Sequence, residues 1–335
     1  MPRPRSLLIG LLVALIAFWT LAPMARAMLL LRDEQHPMAN PPLIGGVQST
    51  AASFYTSDSS NPIPISGWFV LKRPTAPTVI LLPGWKGDRS TMLPYASFLV
   101  RAGLNVLLID FRGSGHSGGQ FSLGLNEPLD VAAAISYLDM SQLTNHHYGV
   151  LGVSFGAGVA IAAAGNPLTS LPGSPELRAI VADSPWATED PAVDRLDRLP
   201  VMGISIPLVP DASWAVRLTL GGPLDDSSAR TAAAHLQAGQ ALFLVRSAHD
   251  SDPATTAADF KALYAAAKTT KATIVNPWIA PLGGHASAYA AQPAVYEAKV
   301  LAFFRRHLVA LKDPKPTTTP SNYPDYTSHT GHYGH

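Results

Sequence analysis

Residues 148–164, YGVLGVSFGAGVAIAAA, give the clearest indication of the fold in the sequence. The segment opens with an uninterrupted apolar run, Tyr148–Val153, which is typical of a strand covered on both faces. Ser154 follows at once, and the Ala-rich run after it favours a helix. Gly152 and Gly156 flank the serine in the pattern G-x-S-x-G. A strand, a sharp turn at a serine and a helix are what a nucleophile elbow requires.

The same alternation of short apolar runs and longer Ala-rich or amphipathic stretches continues on both sides. It predicts an α/β fold with a mostly parallel central sheet and helices on both faces. In such a sheet, chemistry takes place outside the carboxyl ends of the strands. The predicted strands are Ile65–Leu71, Thr78–Leu82, Asn105–Asp110, Tyr148–Val153, Ala179–Asp183, Leu242–Arg246 and Ala272–Asn276. The predicted helices lie at about 90–102, 127–140, 155–164, 253–268 and 291–309.

The composition excludes several classes of protein. The 335 residues are 47% apolar, so the chain can bury a core and is not a disordered polyampholyte. There is no cysteine, which excludes disulfide scaffolds, Cys-ligated metal sites and thiol enzymes. The net charge is +1 and no Lys/Arg run stands out, so we expect no nucleic-acid partner.

The N-terminal segment predicts attachment to a membrane. Arg3 and Arg5 precede an uncharged apolar stretch, Leu7–Ala25, and a helix needs about 17–25 such residues to span a bilayer. Ala25-Arg26-Ala27 resembles the cleavage site of a secretory signal. The apolar stretch is longer than a usual signal core, so we favour an uncleaved anchor. The catalytic domain would then lie on the extracytoplasmic side, or be secreted or periplasmic if the segment is cleaved.

The rest of the chain divides by composition. A Pro- and Gly-rich spacer precedes one globular domain, and a Pro-, Thr-, Ser- and His-rich tail is expected to be disordered. The predicted boundaries are 1–27 for the anchor or signal peptide, 28–50 for the spacer, 51–312 for the domain and 313–335 for the tail.

Two serines occupy a G-x-S-x-G pattern, and their context separates them. Ser154 has a predicted strand directly before it and a predicted helix directly after it. Ser117 lies in a glycine loop with neither. The sequence therefore favours Ser154 as the nucleophile.

The base and the acid are expected further along the chain, in the order Ser, Asp, His. His285 is the only one of the histidines in a loop after the last predicted strand and before the final helix. An acidic loop follows the strand Leu242–Arg246, and we choose Asp250 as the acid, with Asp252 as its neighbour. Asp183, after another strand, is a third candidate.

An oxyanion hole needs two backbone N–H groups aimed at the developing negative charge. Phe155, the residue after the nucleophile, would supply one of them. Trp85, in the loop after strand Thr78–Leu82, would supply the other. No metal or organic cofactor is required for this chemistry.

The alternation fails between about 184 and 230, where prolines recur. Because this segment lies between two strands on the carboxyl side, we expect a small helical cap over Ser154. Trp186 and Trp214 are candidate substrate-binding residues, either walls of an apolar acyl or alcohol pocket or packing residues of the cap.

Six motifs in this order and spacing resemble bacterial membrane-anchored α/β-hydrolases of the serine aminopeptidase-like or esterase-like type. They are LLPGWKGDRSTM, VLLIDFRGSGHSGG, GVLGVSFGAG, IVADSPW, LVRSAHDSDP and GGHASAYAAQPAVYEAKVLAFFRRHL. The resemblance covers about residues 50–310. It implies the α/β-hydrolase fold, a triad of Ser154, His285 and Asp250, and oxyanion donors at Trp85 and Phe155.

The resemblance also implies that Asp110, Arg112, Gly113 and Gly115 shape the floor of the site without reacting. The sequence departs from the family in two loops. Pro83 stands where many relatives have His, and the acid loop has Ser247 in place of Gly and an early Pro253. The second departure leaves the choice between Asp250 and Asp252 open.

These observations predict a serine hydrolase that cleaves a carboxylic ester or a related acyl bond of a small-molecule substrate through an acyl-enzyme. A peptidase or an acyltransferase on the same triad is one alternative. A non-catalytic, membrane-tethered binding domain is another, and the presence of all three triad residues argues against it.

Overall fold

A computed structural model describes residues 4–31, 40–56, 61–141, 143–165, 177–188, 198–201, 204–207, 213–220 and 228–309. In this part of the chain, the main sheet has nine strands: β3 Thr50–Tyr55, β4 Pro64–Val70, β5 Thr78–Leu82, β6 Asn105–Ile109, β7 Tyr148–Val153, β8 Leu177–Asp183, β11 Ala241–Ser247, β12 Thr273–Ile274 and β13 Trp278–Ala280. Their order is β12-β11-β8-β7-β5-β6-β4-β3, with β13 paired to β11. Strands β3 and β4 are antiparallel to their neighbours, and the other strand pairs are parallel.

Helices cover both faces of the sheet. The helices of the described residues are α1 Pro4–Leu31, α2 Leu93–Arg101, α3 Glu127–Met140, α4 Phe155–Gly165, α5 Ser213–Leu220, α6 Ala229–Ala233, α7 Ala257–Ala267, α8 Ala288–Ala291 and α9 Pro293–Phe304, with single turns at Arg89–Met92, Pro253–Thr255 and Arg305–Val309. On β5, Ile80 and Leu82 pack into the core that α3, α4 and α6 cover. Val79 and Leu81 point to the opposite face, where α2 and α9 cover them.

This two-sided burial is the reason why the central strands are continuous apolar runs. A strand buried on only one face would alternate apolar and polar residues, whereas every residue of β5, β6 and β7 is buried. Burying one such Val, Leu or Ile side chain contributes about 1.5–3 kcal/mol. The burial of many such side chains stabilises the sheet on which the site lies.

The order of the strands places a crevice at the ends of β5 and β7. Strand β5 lies between β6 and β7. The chain therefore passes from β5 to β6 on one side, and later forms β7 on the other side of β5. The carboxyl edge at such a reversal is where open α/β sheets bind ligands. The loop after β5 and Ser154 after β7 both lie at this edge.

The predicted α/β architecture is confirmed, and most predicted elements differ from the observed ones by a few residues at their ends. Strand β3 is missing from the prediction because it directly follows the Pro- and Gly-rich spacer. That spacer also contains a short hairpin of β1 Leu43–Ile44 and β2 Val47–Gln48.

The predicted cap is only partly helical. Its described secondary structure comprises helix α5, the start of α6 and an antiparallel hairpin of β9 Arg198–Val201 and β10 Ile204–Pro207, which the sequence did not predict. Much of 184–230 and the whole predicted tail, 313–335, lie outside the described residues.

Helix α1 presents apolar side chains to its surroundings. Leu12, Phe18 and Trp19 are each about half exposed or more. Towards its end, Ala27 and Leu31 are buried in the core. Among helices of the described residues, none combines the length and the apolar character that a membrane crossing requires. The anchor and the extracytoplasmic location therefore stay predictions from the sequence.

Candidate active site

The turn between β7 and α4 holds Ser154 in a backbone conformation that few residues adopt. Its φ is +56°, in the left-handed region that costs a non-glycine residue about 1–2 kcal/mol. Its N–H donates to the carbonyl of Asp183 at 2.8 Å, which fastens the turn to β8. The strained turn lifts the serine hydroxyl above the sheet edge, as a nucleophile elbow does.

The two glycines of the pattern are required by close backbone approach. A Cβ on Gly152 would lie 2.1 Å from the carbonyl oxygen of Gly156. A Cβ on Gly156 would lie 2.3 Å from the carbonyl oxygen of Pro83. No real Cβ contact is this short, so only glycine lets α4 leave the strand this closely.

The structure brings Ser154, His285 and Asp250 together although they are far apart in sequence. The Ser154 hydroxyl lies 2.7 Å from Nε2 of His285. Nδ1 of the same ring lies 3.2 Å from both carboxylate oxygens of Asp250. With the proton on Nδ1, the ring donates to the carboxylate and accepts from the serine, which is the arrangement that a general base needs.

The Asp250 carboxylate is fully buried and its other contacts hold it in place. Oδ2 accepts from the hydroxyl of Thr255 at 3.0 Å, and Oδ1 accepts from the N–H of Asp252 at 3.0 Å. Arg246 holds the backbone of the loop by donating to the carbonyl of Asp250 at 2.7 Å. Thr255 was not among the predicted site residues, and its only signal in the sequence is its place in the acid loop.

The two other candidate acids take different positions. Asp252 caps the turn that follows it, and one of its oxygens lies 3.9 Å from Nε2 of His285, on the serine side of the ring. Asp183 is buried at the end of β8. Burial raises its pKa to about 6, against the smaller opposing effect of a hydrogen bond from Ser184.

Ser117 and His249 lie in surroundings that differ from those of Ser154 and His285. The Ser117 hydroxyl donates to the carbonyl of Asp110 at 2.8 Å and accepts from the N–H of Ser66 at 2.9 Å. These bonds fix the glycine loop to β4 and use the hydroxyl structurally. His249 is exposed, in contrast to the half-buried His285.

Trp85 and Phe155 lie close to the nucleophile. A Cβ on Gly84 would be 3.6 Å from Cβ of Ser154, so the loop that carries Trp85 lies directly against the serine. The N–H of Phe155 opens α4 and has no partner within the helix. Among the described residues, neither of these two N–H groups donates to another group. Both remain candidate oxyanion donors.

An aromatic cluster adjoins this point. Trp186 is buried and lies edge-on to Trp85, at 5.7 Å between ring centroids, and to Phe155, at 5.4 Å. Together with Val159 and Gly124 it lines a narrow apolar cleft beside the elbow. The indole N–H of Trp186 has no hydrogen-bond partner among the described residues. The side chain of Trp214, on α5, lies outside what the structure describes.

Buried ion pairs support the loop after β6. Asp110 accepts from the N–H groups of Arg89 and His116 and pairs with the Arg89 guanidinium at 3.2 Å. Arg112 pairs with Asp130 of α3 at 2.7 Å. Burial raises the pKa of Asp130 to about 7 although the guanidinium opposes this shift. The arrangement is consistent with a structural role for Asp110 and Arg112.

Comparison with known proteins supports a hydrolase. A family model described as X-Pro dipeptidyl-peptidase (S15 family) matches residues 46–194. A curated relative, the uncharacterized protein RP471 of Rickettsia prowazekii (strain Madrid E), is 36% identical over 93 residues. That alignment covers 26% of this chain and 39% of the relative.

Solved structures show the fold. The Pyrococcus furiosus esterase Pf2001 superposes with a TM-score of 0.65 at 23% identity, over 83% of this chain and 98% of that one. The Pyrococcus horikoshii acylaminoacyl peptidase gives a TM-score of 0.53 at 15% identity, over 80% of this chain and 43% of that one. The fold of this chain is therefore the α/β-hydrolase fold.

Proposed function

We propose that this chain is a serine hydrolase that cleaves a carboxylic ester or a related acyl bond. The observation that carries the proposal is the hydrogen-bonded chain from Ser154 through His285 to Asp250, with its 2.7 Å contact between hydroxyl and imidazole. A free serine hydroxyl is a weak nucleophile, and a base in contact with it is what activates it.

In the first half of the reaction, Ser154 Oγ attacks the carbonyl carbon while its proton moves to Nε2 of His285. The buried Asp250 carboxylate stabilises the imidazolium and fixes the ring orientation. The N–H groups of Trp85 and Phe155 donate to the oxyanion. When the intermediate collapses, the proton passes to the leaving oxygen, and an alcohol departs from the acyl-enzyme.

In the second half, water takes the place of the serine. His285 removes a proton from the water, the hydroxide adds to the acyl carbon, and Ser154 leaves with the proton from the imidazolium. The products are a carboxylic acid and the free enzyme.

A peptidase is the second candidate, and the partial match to the S15 family model favours it. The same proton transfers would serve an amide, since His285 can protonate a leaving amine. Esters and amides are therefore to be compared on the same preparation.

The test combines labelling with substrate profiling. We expect a fluorophosphonate probe to label the native chain and the Ser117→Ala variant, and to leave Ser154→Ala unlabelled. Turnover of p-nitrophenyl esters of increasing acyl length should exceed that of aminoacyl p-nitroanilides. Equal labelling of native chain and Ser154→Ala would contradict the proposal. Preferred cleavage of the anilides would favour the peptidase.

A further inference from the structure

We infer that Ser184, oriented by Asp183, is a positioning residue that ties the turn carrying Ser154 to the loop carrying His285. The inference rests on the proposed function, because it concerns the geometry between nucleophile and base. Asp183 and Ser184 take no part in the proton transfers of the proposed reaction, so their role would be one of positioning.

On the nucleophile side, the connection runs through the backbone. Asp183 is the last residue of β8 and pairs with Val153, the last residue of β7. Its carbonyl accepts the N–H of Ser154 at 2.8 Å, and the N–H of Ser184 donates to the carbonyl of Val245 at 2.8 Å. The turn at 183–184 is thus fixed to the strands on both sides of it.

On the base side, the connection runs through the Ser184 hydroxyl. This hydroxyl donates to Oδ1 of Asp183 at 3.1 Å and accepts from the N–H of Ala286 at 3.2 Å. Ala286 directly follows His285. Because the single hydroxyl proton points at the carboxylate, the oxygen lone pairs are left to accept from the histidine loop.

The backbone conformation indicates that the hydroxyl is used. Ser184 has φ +53° and Ala286 has φ +51°, both in the left-handed region. Glycine adopts this conformation without steric cost, so a serine here is the more costly choice for the backbone. Strain of this kind clusters at functional sites, where surrounding contacts maintain it.

Both residues of the turn are fully buried, and Asp183 lies where it experiences the charges of His285 and Asp250. The hydroxyl of Tyr296, on α9, also lies close enough to this carboxyl to oppose the rise of its pKa. The turn therefore lies directly behind the base. Loss of the hydroxyl would free the backbone at 286, and a displacement of about 1 Å between reacting groups can reduce a rate by about 10²-fold.

The experiment compares Ser184→Ala and Ser184→Gly with the native chain. A matched control is Ser247→Ala, which removes another fully buried hydroxyl at a strand end, one that has no partner among the described residues. Active sites are titrated with the fluorophosphonate probe. For each variant, kcat per titrated site and KM are measured with a p-nitrophenyl ester, and the free energy of unfolding is measured in urea.

We expect kcat per titrated site to fall by about 10-fold to 100-fold in both Ser184 variants, with KM within twofold of native. Ser184→Gly should be the more stable of the two because glycine relieves the strain at φ +53°. It therefore also serves if Ser184→Ala fails to fold. Ser247→Ala should keep the native kcat.

Native kcat per titrated site in Ser184→Gly would overturn the inference and leave the proposed function intact. The same holds if the loss appears only as fewer titratable sites, since that is a loss of folded protein. Failure of the native chain to react with the probe would overturn the proposed function and this inference together.

Discussion

Asp250 and Asp252 are two positions apart, yet they meet opposite nitrogens of the His285 ring. Asp250 lies 3.2 Å from Nδ1 and its carboxylate is fully buried, whereas Asp252 lies 3.9 Å from Nε2. Only the acid on Nδ1 can hold the ring with Nε2 free to accept from Ser154. The geometry thus favours Asp250 as the orienting acid.

Asp250→Asn should therefore reduce kcat by about 10³–10⁴-fold, because an amide stabilises the wrong tautomer of the imidazole. Asp252→Asn is the matched variant and should reduce kcat by less than about 10-fold. Steady-state turnover of one p-nitrophenyl ester checks both. Equal losses in the two variants would refute the assignment.

The raised pKa of the buried Asp183 carboxyl should make the stability of the fold depend on pH. Its pKa in the folded chain is about 6, above the 3.8 of the free group. Between these values the unfolded chain has lost the proton that the folded chain keeps, so stability falls as the pH rises from about 4 to about 6. Above this window the loss is on the order of 2–3 kcal/mol.

Asp183→Asn removes this charge while keeping the shape of the side chain. We expect the variant to be more stable than the native chain at pH 8, and this difference to disappear near pH 4. Urea unfolding at the two pH values measures it. A stability difference that does not change with pH would show that Asp183 is charged in the folded state throughout.

At the scale of elements, the site depends on how closely α4 approaches β5. Gly156, in the first turn of α4, lies against the carbonyl groups that end β5, and a Cβ there would be 2.5 Å from Leu82 O. Helix α4 therefore packs, through Gly156, directly against the start of the loop that carries Trp85. A side chain at this contact would displace both.

Gly156→Ala should consequently destabilise the fold by about 1–3 kcal/mol or more, as overpacking does. Gly84→Ala is the control for stability, because its Cβ would make ordinary contacts at 3.6 Å. The free energy of unfolding in urea distinguishes them. If Gly156→Ala were as stable as Gly84→Ala, the close approach would not constrain the elbow.

At the scale of the whole molecule, the central sheet gathers residues from distant parts of the chain at one edge. Strands β5, β7, β8 and β11 run parallel, so the loops that follow them meet there. Helix α1 lies far in sequence from the residues at this edge, and it exposes apolar side chains. Membrane attachment, which the sequence predicts, would cover these side chains.

We therefore expect the full chain to sediment with membranes and a chain lacking residues 1–27 to stay in the supernatant. The full-length Ser154→Ala variant should sediment like the native chain, which separates attachment from activity. Sedimentation followed by immunoblotting measures this. A full chain that remains in the supernatant would contradict the prediction.

The α/β class could be predicted from the sequence alone, because strands buried on two faces must be continuous apolar runs and the central strands are such runs. The sequence also determined which residues to compare: Ser154 by its strand and helix context, and His285 by its place after the last strand. Strand β3 and the hairpin in the cap escaped prediction because both lie in or beside Pro-rich stretches without a clear period. These features can be predicted from the local pattern of apolar and polar residues because that pattern reflects which side chains are buried.

The surroundings of Asp250 and Asp252 differ only in the tertiary structure, which places Asp250 at Nδ1 of His285 and Asp252 nearer to Nε2. Two acids in one loop have the same local signal, and their roles differ through the ring nitrogen that each one meets. The turn at Asp183 and Ser184 likewise has no signature of its own, since its contacts join β7, β8, β11 and the histidine loop. Such contacts depend on distances between segments far apart in sequence, and folding of the sheet is what sets those distances.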